Sequence, residues 1–276
     1  MRTQALKAVQ RDPVWVRMIL IGIAFSFLAF FLGMPLVVIA INACRDGLHV
    51  YAQSLRDPDA VSAILLTLKV VAIAVPCNAI FGIAAAWLIA KFQFRGKQVL
   101  LGLIDMPFSV SPIIAGLLFV LAFGSNTLLG GWLMAHGVRV IFSSTGIVLA
   151  TVFVTLPFVA RELIPLMQSQ GIDEEEAAMT MGASGWQVFA RVTLPNIKWG
   201  LWYGITLSTA RAVGEFGAVS VVSGHIRGLT NTISLHVEIL YNEYNFSAAF
   251  ALSSLMVLFA FGTLVVKIIL EGKRST

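Results

Sequence analysis

Apolar positions in this chain run in long unbroken stretches, without the one-sided periodicity of a water-facing helix or strand. Six such segments, 18–43, 60–90, 98–123, 144–167, 199–222 and 246–270, are long enough to cross roughly 30 Å of hydrocarbon as helices. Short polar or glycine-rich breaks separate them. The turn 91–97 reads "KFQFRGK", and the longest connector carries "DEEEAAMTMGASGWQVFARVTLPNI". The pattern predicts an all-α, polytopic membrane protein with six transmembrane helices.

Composition agrees. At 58% hydrophobic and 12% charged residues, with mean hydropathy +0.88, the apolar surplus exceeds what one aqueous core accommodates. A net charge of +5 raises the question of nucleic acid, but the basic residues sit in short clusters beside apolar runs and form no aromatic-interleaved face. No nucleic-acid partner is expected; the bilayer is. Cys44 and Cys77 lie at the end of one run and inside another, a spacing that suits neither a disulfide nor a metal. Ile41-Asn42-Ala43-Cys44 faintly resembles a lipoprotein cleavage box, yet the run before it is too long for a signal peptide core and is read as a retained helix.

The distribution of Lys and Arg sets direction. Arg2, Lys7, Arg11, Arg17, Lys91, Arg95, Lys97, Arg161, Arg191, Lys198, Lys267, Lys273 and Arg274 fall on one side, against Arg45, Arg56, Arg139 and Arg227 on the other. Both termini and the acidic connector are expected in the cytoplasm. The segment 124–143, with Trp132, is expected outside and partly along the interface.

The connector reads as two short, separately capped helices. Asp173 is expected as an N-cap with Glu176 at capping-box spacing, Gly182 ends the first helix, and Ser184 with Gln187 forms a second capping box. That second helix is expected to run to about Val192, before Leu194-Pro195 redirects the chain. Met179, Met181, Trp186, Val188 and Phe189 are more apolar than a solvated loop needs, so the connector is expected to dock a partner.

Glu176-Ala177-Ala178, Gly182 and Val192-Thr193-Leu194-Pro195 resemble the EAA motif of ABC importer permeases, with Val192 where the motif has isoleucine. The resemblance implies a coupling helix seated on an ATP-hydrolysing subunit, with Glu176, Ala177, Ala178, Gly182, Leu194 and Pro195 as coupling residues. No ATPase is encoded here: Gly96-Lys97 and Gly272-Lys273 are followed by Gln98 and Arg274, not by the Ser or Thr of a P-loop.

Charges inside spans mark the remaining candidates. In "STARAVGEFGAVSVVSG" Arg211 and Glu215 stand at i and i+4, as a structural ion pair or as part of an anion's route. In "DMPFSVSPIIAG" Pro107 and Pro112 interrupt the third span, and Ser109 and Ser111 are expected to repair the ladder and to line the anion pathway with Arg211 and Glu215. Asp105 is read as part of a structural kink, and Lys69 as snorkelling outward. No residue looks catalytic.

The stretch 210–251, together with "DMPFSVSPIIAG", resembles CysW-type permeases of bacterial sulfate/thiosulfate importers. That resemblance implies the type I importer fold in the inner membrane. It divides the chain into a tail, first span and first outer loop at 1–59, a transmembrane unit at 60–268 with its coupling loop at about 168–198, and a short tail at 269–276. It implies as partners a homologous T-type permease, two ATP-binding subunits carrying ATP and Mg, and a periplasmic sulfate-binding protein. His225, Arg227 and Glu238 become candidate contacts for that binding protein, and this chain binds no cofactor of its own. A molybdate or tungstate permease is the alternative within the class. An ATP-independent anion transporter lies outside it, and the inverted repeats that would favour it are not seen.

Overall fold

The computed structural model describes residues 13–274 and, among these, contains helices and no strands. Arg2, Lys7 and Arg11, counted above for orientation, lie outside the described residues. The chain begins with α1 (Val14–Leu28), a π-turn (Ala29–Gly33) and α2 (Met34–Cys44), which together form one continuous helix. α3 (Leu48–Arg56) and α4 (Pro58–Lys91) follow, then α5 (Lys97–Ser109), α6 (Pro112–Phe123) and α7 (Leu128–Ala135). α8 (Ser144–Gln170) leads into the connector helices α9 (Asp173–Thr180) and α10 (Gly185–Val188). A second π-turn (Phe189–Thr193) opens α11 (Leu194–Val213), followed by α12 (Gly217–Ser223), α13 (Ile233–Asn242) and α14 (Phe246–Arg274).

Among the described residues, four helices are each long and apolar enough to cross a membrane: Val14–Cys44, Pro58–Lys91, Ser144–Gln170 and Phe246–Gly272. The expected third span is not straight. α5 and α6 meet at 109° across the break before Pro112. The expected fifth span is likewise divided, at Gly214–Phe216, into α11 and α12.

α4 and α8 form the centre, because each carries a face of small residues that lets backbones approach. A Cβ on Gly82 would stand 2.6 Å from Val159 Cγ1, and one on Gly204 of α11 would stand 3.1 Å from Val159 Cα. Around this crossing Ala86, Ile89, Val159, Ala160 and Leu163 are fully buried. Asn78, also fully buried, ties the two helices by donating to Val152 O at 3.2 Å and Thr155 Oγ1 at 2.7 Å. A second cluster joins Val70, Ile147, Ala150, Val219 and Leu235 toward the opposite end. By contrast, α1 buries no residue, and its extension α2 packs along α14.

Both π-turns precede a proline. Met34 N–H bonds to Ala29 O one residue before Pro35, and Leu194 N–H bonds to Phe189 O one residue before Pro195. Widening the turn makes room for a ring that would otherwise clash with the preceding turn's carbonyl. This corrects the expectation that Leu194-Pro195 redirects the chain: helix continues from Gly185 to Val213.

Candidate functional site

The acidic connector folds into a knob at the ends of α4, α8 and α11. Asp173 is not the N-cap of α9. Ile172 occupies that place without a side-chain bond, and Asp173 to Glu176 form the helix's first turn, where their carboxylates oppose the positive end of the dipole. The expected second capping box is present: Ser184 Oγ accepts from Gln187 N–H at 3.4 Å, and Ser184 N–H donates to Gln187 Oε1 at 2.8 Å. Gly182 adopts φ +89°, and paired bonds from Gly182 N–H to Met179 O and from Ala183 N–H to Ala178 O close α9 in a Schellman turn.

The three glutamates divide their work. Glu175 accepts from Thr193 Oγ1 at 2.7 Å and pairs with Lys91 Nζ at 3.1 Å, with both charged side chains nearly buried. Lys91 also donates to Gly171 O, and Glu174 accepts from Asn196 Nδ2. These bonds fasten the knob to the ends of α4 and α11. Glu176 and Ala177 remain exposed, with Met179, Met181 and Trp186 beside them, whereas Ala178 and Val188 are buried and Phe189 is half-buried against Trp87. The exposed apolar set is therefore smaller than expected, because Val188 and Phe189 root the knob. Leu194 is half-buried and Pro195 exposed. The contacts of Lys91, Thr193 and Asn196 with the glutamates were missed by sequence reasoning, because Lys91 lies in the turn 91–97, far from the connector along the chain.

The two broken spans meet each other. A Cβ on Gly217 would lie 2.9 Å from Pro112 Cβ, and one on Gly116 would lie 2.7 Å from Ala218 O, so the starts of α6 and α12 are in contact. Arg211, in the last turn of α11, pairs through Nη1 with Glu215 Oε2 at 2.5 Å. Glu215 is not on the same helix, however. It sits in the break, buried, and its Oε1 accepts from Ala218 N–H at 2.9 Å while Ser234 Oγ donates to its carbonyl at 2.8 Å. The carboxylate thus satisfies one orphaned amide of α12, that of Ala218, as well as pairing with a guanidinium.

Ser109 and Ser111 are exposed at the neighbouring break, but Ser111 makes no capping bond. Each helix instead ends on its own backbone bond, Val110 N–H to Met106 O closing α5 and Ala115 N–H to Ser111 O opening α6. Pro107 stays inside α5. Asp105 accepts from Arg161 Nε at 2.6 Å, which makes Arg161 part of an ion pair between two helices rather than a free charge at the cytoplasmic edge.

Within the segment 224–244, residues 230–240 fold inward, whereas 224–229 and 241–244 stay exposed. Thr230, Asn231, Thr232, Leu235 and His236 are buried, and Ile233 N–H donates to Thr67 Oγ1 at 3.0 Å. His225 is exposed with φ +53°, Arg227 is exposed and pairs with Glu243, and Glu238 buries its Oε2 without a hydrogen-bond partner. Arg227 and His236 line a polar cavity of about 450 Å³ together with Asp57, Asp59 and Glu243. Burial pushes the His236 imidazole below its ordinary pKa, against the opposing pull of Asp59, Asp57 and Glu243.

The family described as "Binding-protein-dependent transport system inner membrane component" matches residues 78–274. The sulfate transport system permease protein CysW of Escherichia coli (strain K12) is 51% identical over 97% of this chain and 92% of its own length. CysW of Synechocystis sp. is 46% identical over 94% of both. CysT of Escherichia coli (strain K12) is 33% identical over 88% of this chain and 90% of its own. A crystal structure of a bacterial ABC transporter involved in import of the acidic polysaccharide alginate contains a chain that superposes with a TM-score of 0.77 at 16% identity, covering 98% of each; this is a likeness of fold. The relatives are named as transport permeases, not enzymes. A multi-pass, all-helical inner-membrane protein of this make belongs to the binding-protein-dependent transport system inner-membrane component family.

Proposed function

We propose that this chain is a permease subunit of an ATP-driven sulfate/thiosulfate importer, working with a homologous T-type permease, two ATP-binding subunits and a periplasmic binding protein. The observation that carries the proposal is its identity, across nearly its whole length, with relatives named as sulfate permeases. The knob supports the coupling half of the reading. Glu176, Ala177 and Gly182 lie on its outer surface, while Ala178, Leu194 and Pro195 hold that surface in place, and ATP with Mg would be bound and hydrolysed on the partner. Closure of two ATPase subunits would draw two such knobs together and tilt the attached helices.

A sulfate dianion cannot cross hydrocarbon unaided. The paired breaks at Ser109–Ser111 and Glu215, with Arg211 half-buried beside them, supply polar backbone and a guanidinium on the path. His225 and Arg227, with Glu238 behind them, form the outer contact for the binding protein. The test has two parts. Cells lacking this chain should lose uptake of radiolabelled sulfate and regain it on complementation, and the solubilised complex should contain an ATP-binding subunit identified by mass. Intact sulfate uptake with lost molybdate uptake would move the substrate to the related oxyanion. A chain that transports without recruiting an ATPase would end the importer reading.

A further inference from the structure

Two guanidinium–carboxylate pairs lie within the helical bundle, and they share a layout. In Arg211–Glu215 the cation's side chain is 32% exposed and the anion's 1%. In Arg161–Asp105 the values are 56% and 40%. In both the guanidinium is the more exposed partner, although Asp105 is itself 40% exposed where Glu215 is buried. Arg161 lies about 14 Å along α8 from the knob end at Gln170, and Asp105 about 12 Å along α5 from Lys97, at 1.5 Å per residue. On the same scale Arg211 lies about 26 Å along α11 from Leu194. Charges this far from the knob ends of their helices and this exposed do not face acyl chains; they face water or another protein surface.

The pairs also bracket one structural feature. Asp105 is one helical turn before Ser109, the break at Ser109–Ser111 abuts Gly217, and Gly217 is two residues beyond Glu215. The hydrogen bond to Asp105 comes from Arg161 Nε rather than from the terminal nitrogens. Those terminal nitrogens are the fork that holds a tetrahedral oxyanion in bidentate fashion. Phe108, whose ring lies 4.8 Å from the Arg161 guanidinium carbon, supports the cation on its other side.

We propose that Arg161 and Asp105 form a second anion station, nearer the knob than Arg211. The inference rests on the reading of this chain as an oxyanion importer. Asp105 is the resting counter-ion that a passing dianion displaces, so the site attracts the anion without trapping it. A pair that merely locked α5 to α8 would have no use for a presented guanidinium, and the two roles separate experimentally.

The assembled importer, reconstituted with its ATPase and binding protein, is compared as wild type, Arg161→Gln, Asp105→Asn and the double variant, with radiolabelled sulfate uptake and ATP hydrolysis followed together. A structural lock is relieved when both charges are removed at once, whereas a station still lacks its cation. The expected result is therefore a fall of about tenfold or more in uptake for Arg161→Gln and for the double variant, with ATP hydrolysis retained, and a smaller fall for Asp105→Asn. Wild-type uptake by the double variant overturns the proposal, as does its failure to assemble. In a second arm, Cys44 and Cys77 are replaced by Ser and Arg161 by Cys. A small water-soluble thiol reagent should label position 161 in the assembled transporter, as a water-lined passage requires, and absence of labelling also overturns the station. Wild-type protein that moves no sulfate defeats the substrate reading alone, because the labelling arm is independent of which oxyanion is carried.

Discussion

At the scale of single residues, close approach and backbone sign matter more than chemistry. Gly82 sits where α4 crosses α8, and an added Cβ would meet Val159 Cγ1 at 2.6 Å, Val159 Cβ at 2.7 Å and Ala160 N at 3.0 Å. A β-branched side chain on a helix has one favoured rotamer and helical backbone cannot yield, so the clash is not relieved locally. Gly82→Ala should cost about 1–3 kcal/mol through overpacking. Gly102 in α5 has nothing within 4 Å of its virtual Cβ, and Gly102→Ala should be neutral or gain up to about 1 kcal/mol from helix propensity. Thermal melts of the two variants in one detergent should bracket the wild type, and equal melting points would refute the packing argument. Gly182 was legible in the sequence, because a glycine after a capped run signals a left-handed C-cap. Gly82 was not, since a close approach depends on which helix lies opposite. Arg211–Glu215 was half legible: the spacing gave the pair, while the helix break that sends Glu215 to an amide of α12 did not show.

At the scale of elements, the connector is a rigid attachment rather than a tethered loop. Glu175 joins three pieces of chain at one carboxylate, namely α9, the π-turn through Thr193 and the end of α4 through Lys91. A pull on the knob is therefore transmitted into α4 as well as into the flanking α8 and α11. Removing one partner of a nearly buried ion pair leaves the other uncompensated, at about 3–5 kcal/mol, whereas removing both is far milder. Glu175→Gln should accordingly loosen α9, seen as faster hydrogen exchange over 173–180, and should raise ATP hydrolysis per sulfate transported in the assembled importer. Combining it with Lys91→Met should restore slow exchange more than it restores coupling. Unchanged exchange in the single variant would mean that the pair does not hold the knob. The second capping box was readable because it obeys a local rule. The first was misread because Asp173 through Glu176 offered four candidate starts, and the helix took Ile172 as its cap. The continuous helix through Pro195 was also hidden, because proline usually ends a helix and the π-turn that rescues it has no sequence signature of its own.

At the scale of the whole molecule, long apolar helices follow directly from hydropathy, and four of the expected spans appear as uninterrupted helices. The other two are broken where Pro, Ser and Gly accumulate, and the breaks find each other because both expose backbone that only protein or water can satisfy. What hydropathy could not foresee is that the middle of the segment 224–244, residues 230–240, is built into the bundle. Its key is His236, almost fully buried among Asp57, Asp59, Arg227 and Glu243, with no hydrogen-bond partner at Nδ1. Burial, the largest influence, lowers its pKa, so the folded protein holds the ring neutral at pH values where the unfolded chain, with an ordinary value of about 6.5, has already taken up a proton. Between those two values the unfolded state binds more protons, and stability must fall as pH drops through that window and level off below it. Melting temperatures measured from about pH 7.5 down to about pH 5 should decline for the wild type, and His236→Gln, which has no such proton to gain, should show a shallower decline across the same range. If the two profiles run parallel, the acid sensitivity of the fold lies elsewhere than in the buried imidazole.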